Sequence, residues 1–208
     1  MPVAFTKDLV VLAADKSMQL ALRGIVSRHE SLRIRAVSFN VLLDIENDPG
    51  CYLNGPDFLR SQINRYARAL LVLDRHGCGR EQDSREELER RLESRLSESG
   101  WGDRAAAIVI DPELEVWVWT DSPHLTSALA WKEPRPPLRT WLRSKGFWAE
   151  GSLKPHAPQE ALELVLRTTG KRRTSALFES LAQRTSLDRC SDPAFVKLKS
   201  TLKMWFPA

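Results

Sequence analysis

Short apolar runs, each closed by an acidic residue, recur along the 208-residue chain and limit the folds that it can adopt. The runs DLVVLAA (8–14), RALLVLD (68–74) and RAAAIVID (104–111) are almost free of polar residues before the closing acid. Strands that are apolar on both faces are typical of parallel sheets, because helices cover both faces of such sheets. Helical patterns separate the runs, and this alternation predicts an α/β fold with a mostly parallel sheet flanked by helices.

The segments between the runs predict the other elements. After the first run, apolar residues recur at helical spacing at Met18, Ala21, Leu22, Ile25 and Val26. Residues 84–99 predict a second helix, in which Ser84 and Glu87 have the spacing of a capping box. Residues 32–39 alternate as a second strand would, whereas residues 44–57 are rich in turn formers and predict a loop.

The composition of the chain changes at residues 132–137, where the sequence KEPRPP contains three prolines. Prolines at this density exclude a regular element and indicate a boundary. We therefore predict an α/β domain over residues 1–134 and a helical C-terminal region over residues 135–208, which contains four amphipathic segments.

Charge and cysteine content restrict the class of protein. The 31 basic and 27 acidic residues give a net charge of +4, which permits a nucleic-acid partner without requiring one. The three cysteines lack the spacing of a zinc site or a disulfide framework, so a reducing cytoplasm is the expected location. Neither a leader sequence nor a run of 18 apolar residues occurs, and we expect no secretion and no membrane insertion.

Carboxylates follow the predicted strands where each strand ends. Asp15, Asp74 and Asp111 close the three apolar runs, and Glu113 and Glu115 come shortly after the last of them. Adjacent parallel strands bring their carboxyl ends to the same edge of a sheet, so these acids are expected to converge. A hard divalent cation such as Mg²⁺ or Mn²⁺ takes oxygen ligands and would relieve the repulsion among them.

Each of these residues also has a purely structural interpretation. Asp15 precedes a helical pattern, and a helix N-cap is the commoner role for such an aspartate. Asp74 has no helix close behind it, so capping explains it poorly. Residues 111–119 fit either a strand or the start of a helix, and Pro112 favours the helix. His76 is equally well explained as an exposed turn residue or as a metal ligand.

Three motifs resemble those of a known family. The segment VVLAAD before a helix, LLVLDRHGCG and IDPELEVWVWTD are similar to segments of small Toprim-like proteins related to the nuclease domains of the OLD (overcoming lysogenization defect) family. The resemblance covers roughly residues 8–131 and implies a metal-dependent nuclease. Asp15 stands at the position of the first acid, Asp74 at the first aspartate of a pair, and Glu115 at the glutamate before a tryptophan. His76 replaces the second aspartate of the pair, and histidine ligates Mn²⁺ better than Mg²⁺.

The chain as a whole also resembles a small component of methylation-associated bacterial antiphage defence systems. The segments that carry this likeness are GWGDRA, the DPELE segment with the tryptophans after it, and the C-terminal DPAF and WFP segments. The resemblance implies a role in antiviral defence, together with other proteins of a multi-component system.

A basic segment, TGKRRTS (169–175), offers Lys171, Arg172 and Arg173 beside hydroxyl groups and is suited to contact nucleic-acid phosphates. A solvated surface loop explains it equally well. Residues 134–148 also mix basic and aromatic side chains, but the apolar stripe within them favours an ordinary packed helix.

Two hypotheses for the function follow. In the first, the chain is a phosphodiesterase with Asp74, Glu115 and His76 as catalytic residues. Its metal ligands would come from Asp15, Asp74, Glu113 and Glu115. In the second, the chain keeps the Toprim-like fold but is a non-catalytic binding or sensor subunit that acts through partner proteins.

Overall fold

Four parallel strands form a single sheet in the computed structural model, which describes residues 5–208. The strands are β1 (Lys7–Ala13), β2 (Phe39–Leu43), β3 (Tyr66–Asp74) and β4 (Ala105–Ile110). Their order in the sheet is β2–β1–β3–β4, so β1 and β3 are the inner strands. The predicted α/β class with a parallel sheet is confirmed, and the architecture is consistent with a Toprim-like fold.

Nine α-helices surround the sheet within the described residues. They are α1 (Lys16–Val26), α2 (His29–Leu32), α3 (Asn47–Arg60), α4 (Arg85–Leu96), α5 (Pro123–Ala128), α6 (Leu138–Ser144), α7 (Pro158–Thr169), α8 (Ser175–Arg184) and α9 (Pro193–Trp205). Right-handed crossovers place α1 on one face of the sheet and α3 and α4 on the other. Helix α8 packs against α1, and α9 packs against β4 at the edge of the sheet.

The inner strands are apolar because both of their faces are covered. The side chains of residues 9–13 in β1 and 69–73 in β3 are completely buried. The helix predicted over residues 84–99 is also confirmed as α4, and Ser84 and Glu87 form the expected capping box. After α4, a short π-helical turn and a 3₁₀ turn lead into β4.

The second strand lies later in the chain than predicted. The alternation in residues 32–39 indicated a strand there, but β2 begins only at Phe39. Leu32 instead ends α2, and Ile34 forms an isolated antiparallel bridge with Pro207 near the C-terminus. Ile34 is buried by this contact, which accounts for the apolar position that suggested a strand.

The loop predicted over residues 44–57 is also wrong, because helix α3 begins at Asn47. Pro49 lies in its first turn, where a helix needs no backbone N–H donor. Gly55 lets the helix approach the sheet, since a Cβ atom there would lie 2.8 Å from Leu71 Cδ1. Packing on β3 therefore overrides a composition that is poor for a helix.

The four helices predicted in the C-terminal region are confirmed as α6 to α9. They share one apolar core with the α/β layer. The sequence allowed either a strand or a helix for the segment containing Glu113 and Glu115. This segment forms a 3₁₀ turn at Leu114–Trp117. Within residues 5–208, none of the helices has the length and apolar character needed to cross a bilayer.

Gly24 fixes how closely α1 and α8 approach each other. A Cβ atom at Gly24 would lie 2.9 Å from the Ala182 Cβ and 3.2 Å from the backbone oxygen of Glu179. We expect Gly24→Val to lower the free energy of unfolding by about 1–3 kcal/mol, because overpacking would separate the helices. Chemical denaturation tests this, with Arg23→Ala on the exposed side of α1 as the control. Equal stability of the two variants would contradict the prediction.

Candidate active site

Asp74 is the last residue of β3 and lies at the carboxyl edge of the sheet between β1 and β4. Its Oδ1 atom is buried and has no hydrogen-bond partner within residues 5–208. Burial raises the pKa of Asp74 well above its ordinary value, and the negative charge of Asp48 raises it further. The protein thus holds a carboxyl group whose negative charge is poorly compensated.

Asp48 lies beside Asp74. The backbone N–H of Asp74 donates a hydrogen bond to Asp48 Oδ1 at 2.7 Å. Burial raises the pKa of Asp48 to about 6, and the charge of Asp15 acts in the same direction. The charge of His76 has the opposite effect. Asp48 and Asp74 therefore form a pair of carboxyl groups that are both more basic than usual.

The turn after β2 positions Asp48. Asp44 follows this strand, and its Oδ1 accepts a hydrogen bond from the Glu46 backbone N–H at 2.8 Å. A Cβ atom at Gly50, in the first turn of α3, would lie only 2.2 Å from Asp44 Oδ1, so glycine is required at this position. Asp48 was not among the predicted site residues, because its segment was predicted to be a loop. The available signal was Asp44, an acid after a strand like those after the other strands.

Asp15 has the capping role that its position favoured. Its Oδ1 accepts a hydrogen bond from the Met18 backbone N–H at 2.7 Å and caps α1. Its charge still contributes to the raised pKa of both Asp48 and Asp74, so Asp15 lies close to the pair. The Asp15 carboxylate is the third acid at this edge, and its capping bond fixes where it lies.

Glu115 lies in the 3₁₀ turn after β4, and its side chain is paired with Arg173. Arg173 donates from Nε to Glu115 Oε1 at 3.2 Å and also from Nη2 to the same oxygen. Burial raises the pKa of Glu115, whereas the hydrogen bond and charge of Arg173 lower it. The predicted metal ligand Glu115 is thus occupied by one of the three predicted nucleic-acid contacts.

The other two residues of the basic segment point elsewhere. Lys171 Nζ donates to the backbone oxygen of Ala128 at 2.7 Å. Arg172 is exposed and forms no ion pair with any residue that the structure describes. The three basic residues therefore divide, with one at the acidic edge and two on the neighbouring surface.

Glu113 and His76 form a separate pair beside the carboxyl edge. His76 Nδ1 lies 3.3 Å from Glu113 Oε2, and Glu113 Oε1 accepts from the Gln159 backbone N–H at 2.9 Å. The His76 side chain is 69% exposed, so Glu113 orients a histidine that solvent can reach. Asp111, the remaining acid, forms an ion pair with Arg75 at 2.9 Å.

The structure brings together fewer acids than the sequence predicted. Among residues 5–208, no group of three or more histidine, cysteine or acidic side chains is arranged to hold a metal ion. The pair of Asp48 and Asp74 nevertheless suits Mg²⁺, which binds proteins through one or two carboxylates and keeps several waters. The unpartnered oxygen of Asp74 fits such a cation. No family model, curated protein or solved structure matches this chain.

Asp48→Asn should stabilise the protein at neutral and higher pH in a buffer with EDTA. The raised pKa of Asp48 means that the folded state binds more protons than the unfolded state between pH 3.8 and about 6. The contribution of Asp48 to the stability of the wild-type protein is therefore lost as pH rises through this window. An asparagine keeps an acceptor for the Asp74 N–H but carries no charge.

We expect the variant to be about 1–2 kcal/mol more stable than wild type near pH 8 and equal to it near pH 4. Urea denaturation at the two pH values measures this difference. Asp57→Asn, which removes an exposed acid from the same helix, is the control and should show no pH-dependent gain. A difference in stability between Asp48→Asn and wild type that is the same at the two pH values would contradict the assignment.

Arg173→Met should destabilise the protein most at high pH. The variant leaves Glu115 buried and charged without a partner, a loss of about 2 kcal/mol for a pair that is partly exposed on the arginine side. Near pH 4 Glu115 takes up a proton and the loss should shrink. Adding Glu115→Gln should restore stability at high pH. If Arg173→Met loses as much stability near pH 4 as at high pH, the ion pair of Arg173 and Glu115 is not what stabilises this turn.

Proposed function

We propose that this protein hydrolyses phosphodiester bonds of nucleic acid with Mg²⁺ or Mn²⁺ bound at Asp48 and Asp74, as a component of a bacterial antiviral defence system. The main support is the pair of adjoining carboxyl groups at the end of β3, one of which has a buried oxygen without a partner. The resemblance of the sequence to Toprim-like nucleases supports Asp74 in this role and suggests the defence context.

The chemistry assigns different roles to the acids. A divalent cation at this position would polarise a phosphate oxygen and lower the pKa of a bound water. Asp48 and Asp74 would bind the cation, because their charges are the least compensated at this edge. Asp15 Oδ1 is used by the helix cap, which leaves Oδ2 as its only atom to face a cation.

His76 is the candidate proton carrier. Its contact with Glu113 favours the tautomer with the proton on Nδ1, so Nε2 can accept a proton from water. Arg173 remains near the acids and suits a bidentate contact with phosphate. In this arrangement Glu115 orients Arg173 and does not ligate the cation, which differs from the role that the resemblance gave it.

A non-catalytic subunit is the second candidate, and two observations favour it. Glu115 is paired with Arg173, and the residues that the structure describes contain no group of three metal-ligating side chains. In that case the protein would keep the fold and act through partner proteins of the defence system. The two candidates differ in whether a cation binds to Asp48 and Asp74.

Thermal unfolding with Mn²⁺ or Mg²⁺ tests the catalytic proposal. A cation that binds only the folded state, at a free concentration of a hundred times its Kd, raises the free energy of unfolding by about 2.7 kcal/mol. We expect the wild-type protein to gain stability, and both Asp74→Asn and Asp48→Asn to lose most of that gain. Asp57→Asn should keep it, because this exposed acid of α3 lies outside the site.

Cleavage of labelled single- and double-stranded DNA and RNA is then measured with the same variants. Metal-dependent cleavage by wild type and the Asp57→Asn control, reduced at least a hundredfold by Asp74→Asn, is the expected result. A protein that no cation stabilises and that cleaves none of these substrates would support the non-catalytic subunit. A metal response that survives both active-site substitutions would place the cation elsewhere and overturn the assignment.

A further inference from the structure

A basic cleft of about 370 Å³ lies between α5 and α8. Its cationic residues are Lys171 and Arg172, which precede α8, and Arg184 in the last turn of that helix. None of the ten residues that line the cleft is acidic. The cleft thus differs in charge from the neighbouring carboxyl edge, and its volume is in the usual range of ligand sites, about 300–1,000 Å³.

The cations of the cleft are available to a ligand. Within residues 5–208, neither Arg172 nor Arg184 forms an ion pair, and Lys171 contacts only a backbone oxygen. Exposed His124 and Ser127 from α5 and half-buried Ser180 from α8 add neutral donors on the walls. Several cations with neutral donors between them are what phosphate groups require.

The spacing of the cations favours a strand over a single phosphate. Helix α8 separates Arg172 from Arg184, and its length corresponds to about 14 Å along the helix axis. Cations spread along the length of α8 can each contact a different phosphate of a nucleic-acid backbone.

The cleft adjoins the carboxyl edge through the segment before α8. Arg173 lies between two lining residues of the cleft, yet its side chain is hydrogen-bonded to Glu115. The hydroxyl of Ser175 lies 3.3 Å from that of Ser17, in the first turn of α1 after Asp15. The part of a strand that lies at the start of α8 would therefore be near the acids.

We propose that this cleft binds the phosphodiester backbone of a single nucleic-acid strand and holds it beside Asp48 and Asp74. This inference rests on the proposed function where it concerns cleavage of the bound strand, whereas binding of the strand needs no cation. The predicted basic segment is then one end of a larger binding site between α5 and α8, and Arg184 lies at the other end of that site.

Fluorescence anisotropy with a short labelled single-stranded DNA, in a buffer with EDTA, measures binding. The test variant is Arg172→Ala combined with Arg184→Ala. The matched control is Arg60→Ala combined with Arg90→Ala, which removes two exposed arginines from α3 and α4 on the opposite face. We expect the test variant to bind at least tenfold more weakly than the control. A plot of log K against log salt concentration should also be less steep for the test variant. Its slope should be smaller in magnitude by about 1.4, which is about 0.7 for each of the two lost phosphate contacts.

Three outcomes would overturn the proposal that the cleft binds a strand. In the first, the wild-type protein does not bind the labelled DNA, and in the second, the two double variants lose the same affinity for it. In the third outcome, a free nucleoside triphosphate displaces the labelled DNA as effectively as unlabelled DNA does. The last would identify a nucleotide as the ligand. Strand binding in a protein that no cation stabilises would instead overturn the proposed function and leave the cleft in place. A wild-type protein that a cation stabilises, but that does not bind the labelled DNA, would overturn the proposed cleft site and leave the proposed function in place.

Discussion

The pairing of β3 with β1 on one side and β4 on the other is the constraint on which the site depends. Both neighbours are parallel to β3, so the residues that follow the three strands reach the same edge of the sheet. The side chains of residues 69–73 are completely buried, and the chain can become polar only where the strand ends, at Asp74. Burial of the strand thus brings a carboxyl group to a place where solvent compensates its charge poorly.

The helices complete the site from both faces of the sheet. From one face, α3 brings Asp48 to the backbone N–H of Asp74, and this depends on the tight fit of Gly50 against Asp44. From the other face, the packing of α8 on α1 brings Arg173 to Glu115. The C-terminal region therefore contributes the cation that neutralises one acid, whereas neither Asp48 nor Asp74 forms an ion pair within residues 5–208.

Sequence patterns predicted the parts of the fold that follow from burial and capping. The apolar runs located β1, β3 and β4, and the capping-box spacing of Ser84 and Glu87 located the start of α4. The patterns failed at β2 and α3, because Ile34 is buried by a contact with the distant C-terminus and α3 is stabilised by packing on β3.

The site shows the same division. Asp74 was predicted as a site residue because it ends an apolar run, whereas Asp48 was not predicted because only helix α3 places it beside Asp74. The pairing of Glu115 with Arg173 joins residues 58 positions apart and has no local sequence signal.

Charge balance explains why acids and cations lie on adjoining surfaces. A phosphodiester is anionic and is repelled by ionised carboxylates such as Asp48 and Asp74, unless cations offset their charge. Burial raises the pKa of both residues, so their ionised forms are disfavoured at this edge. A strand held by Arg172 and Arg184 would bring its phosphates to the edge despite this repulsion. In the proposed function Asp48 and Asp74 would hold a divalent cation at this edge, and the cation would polarise a phosphate oxygen.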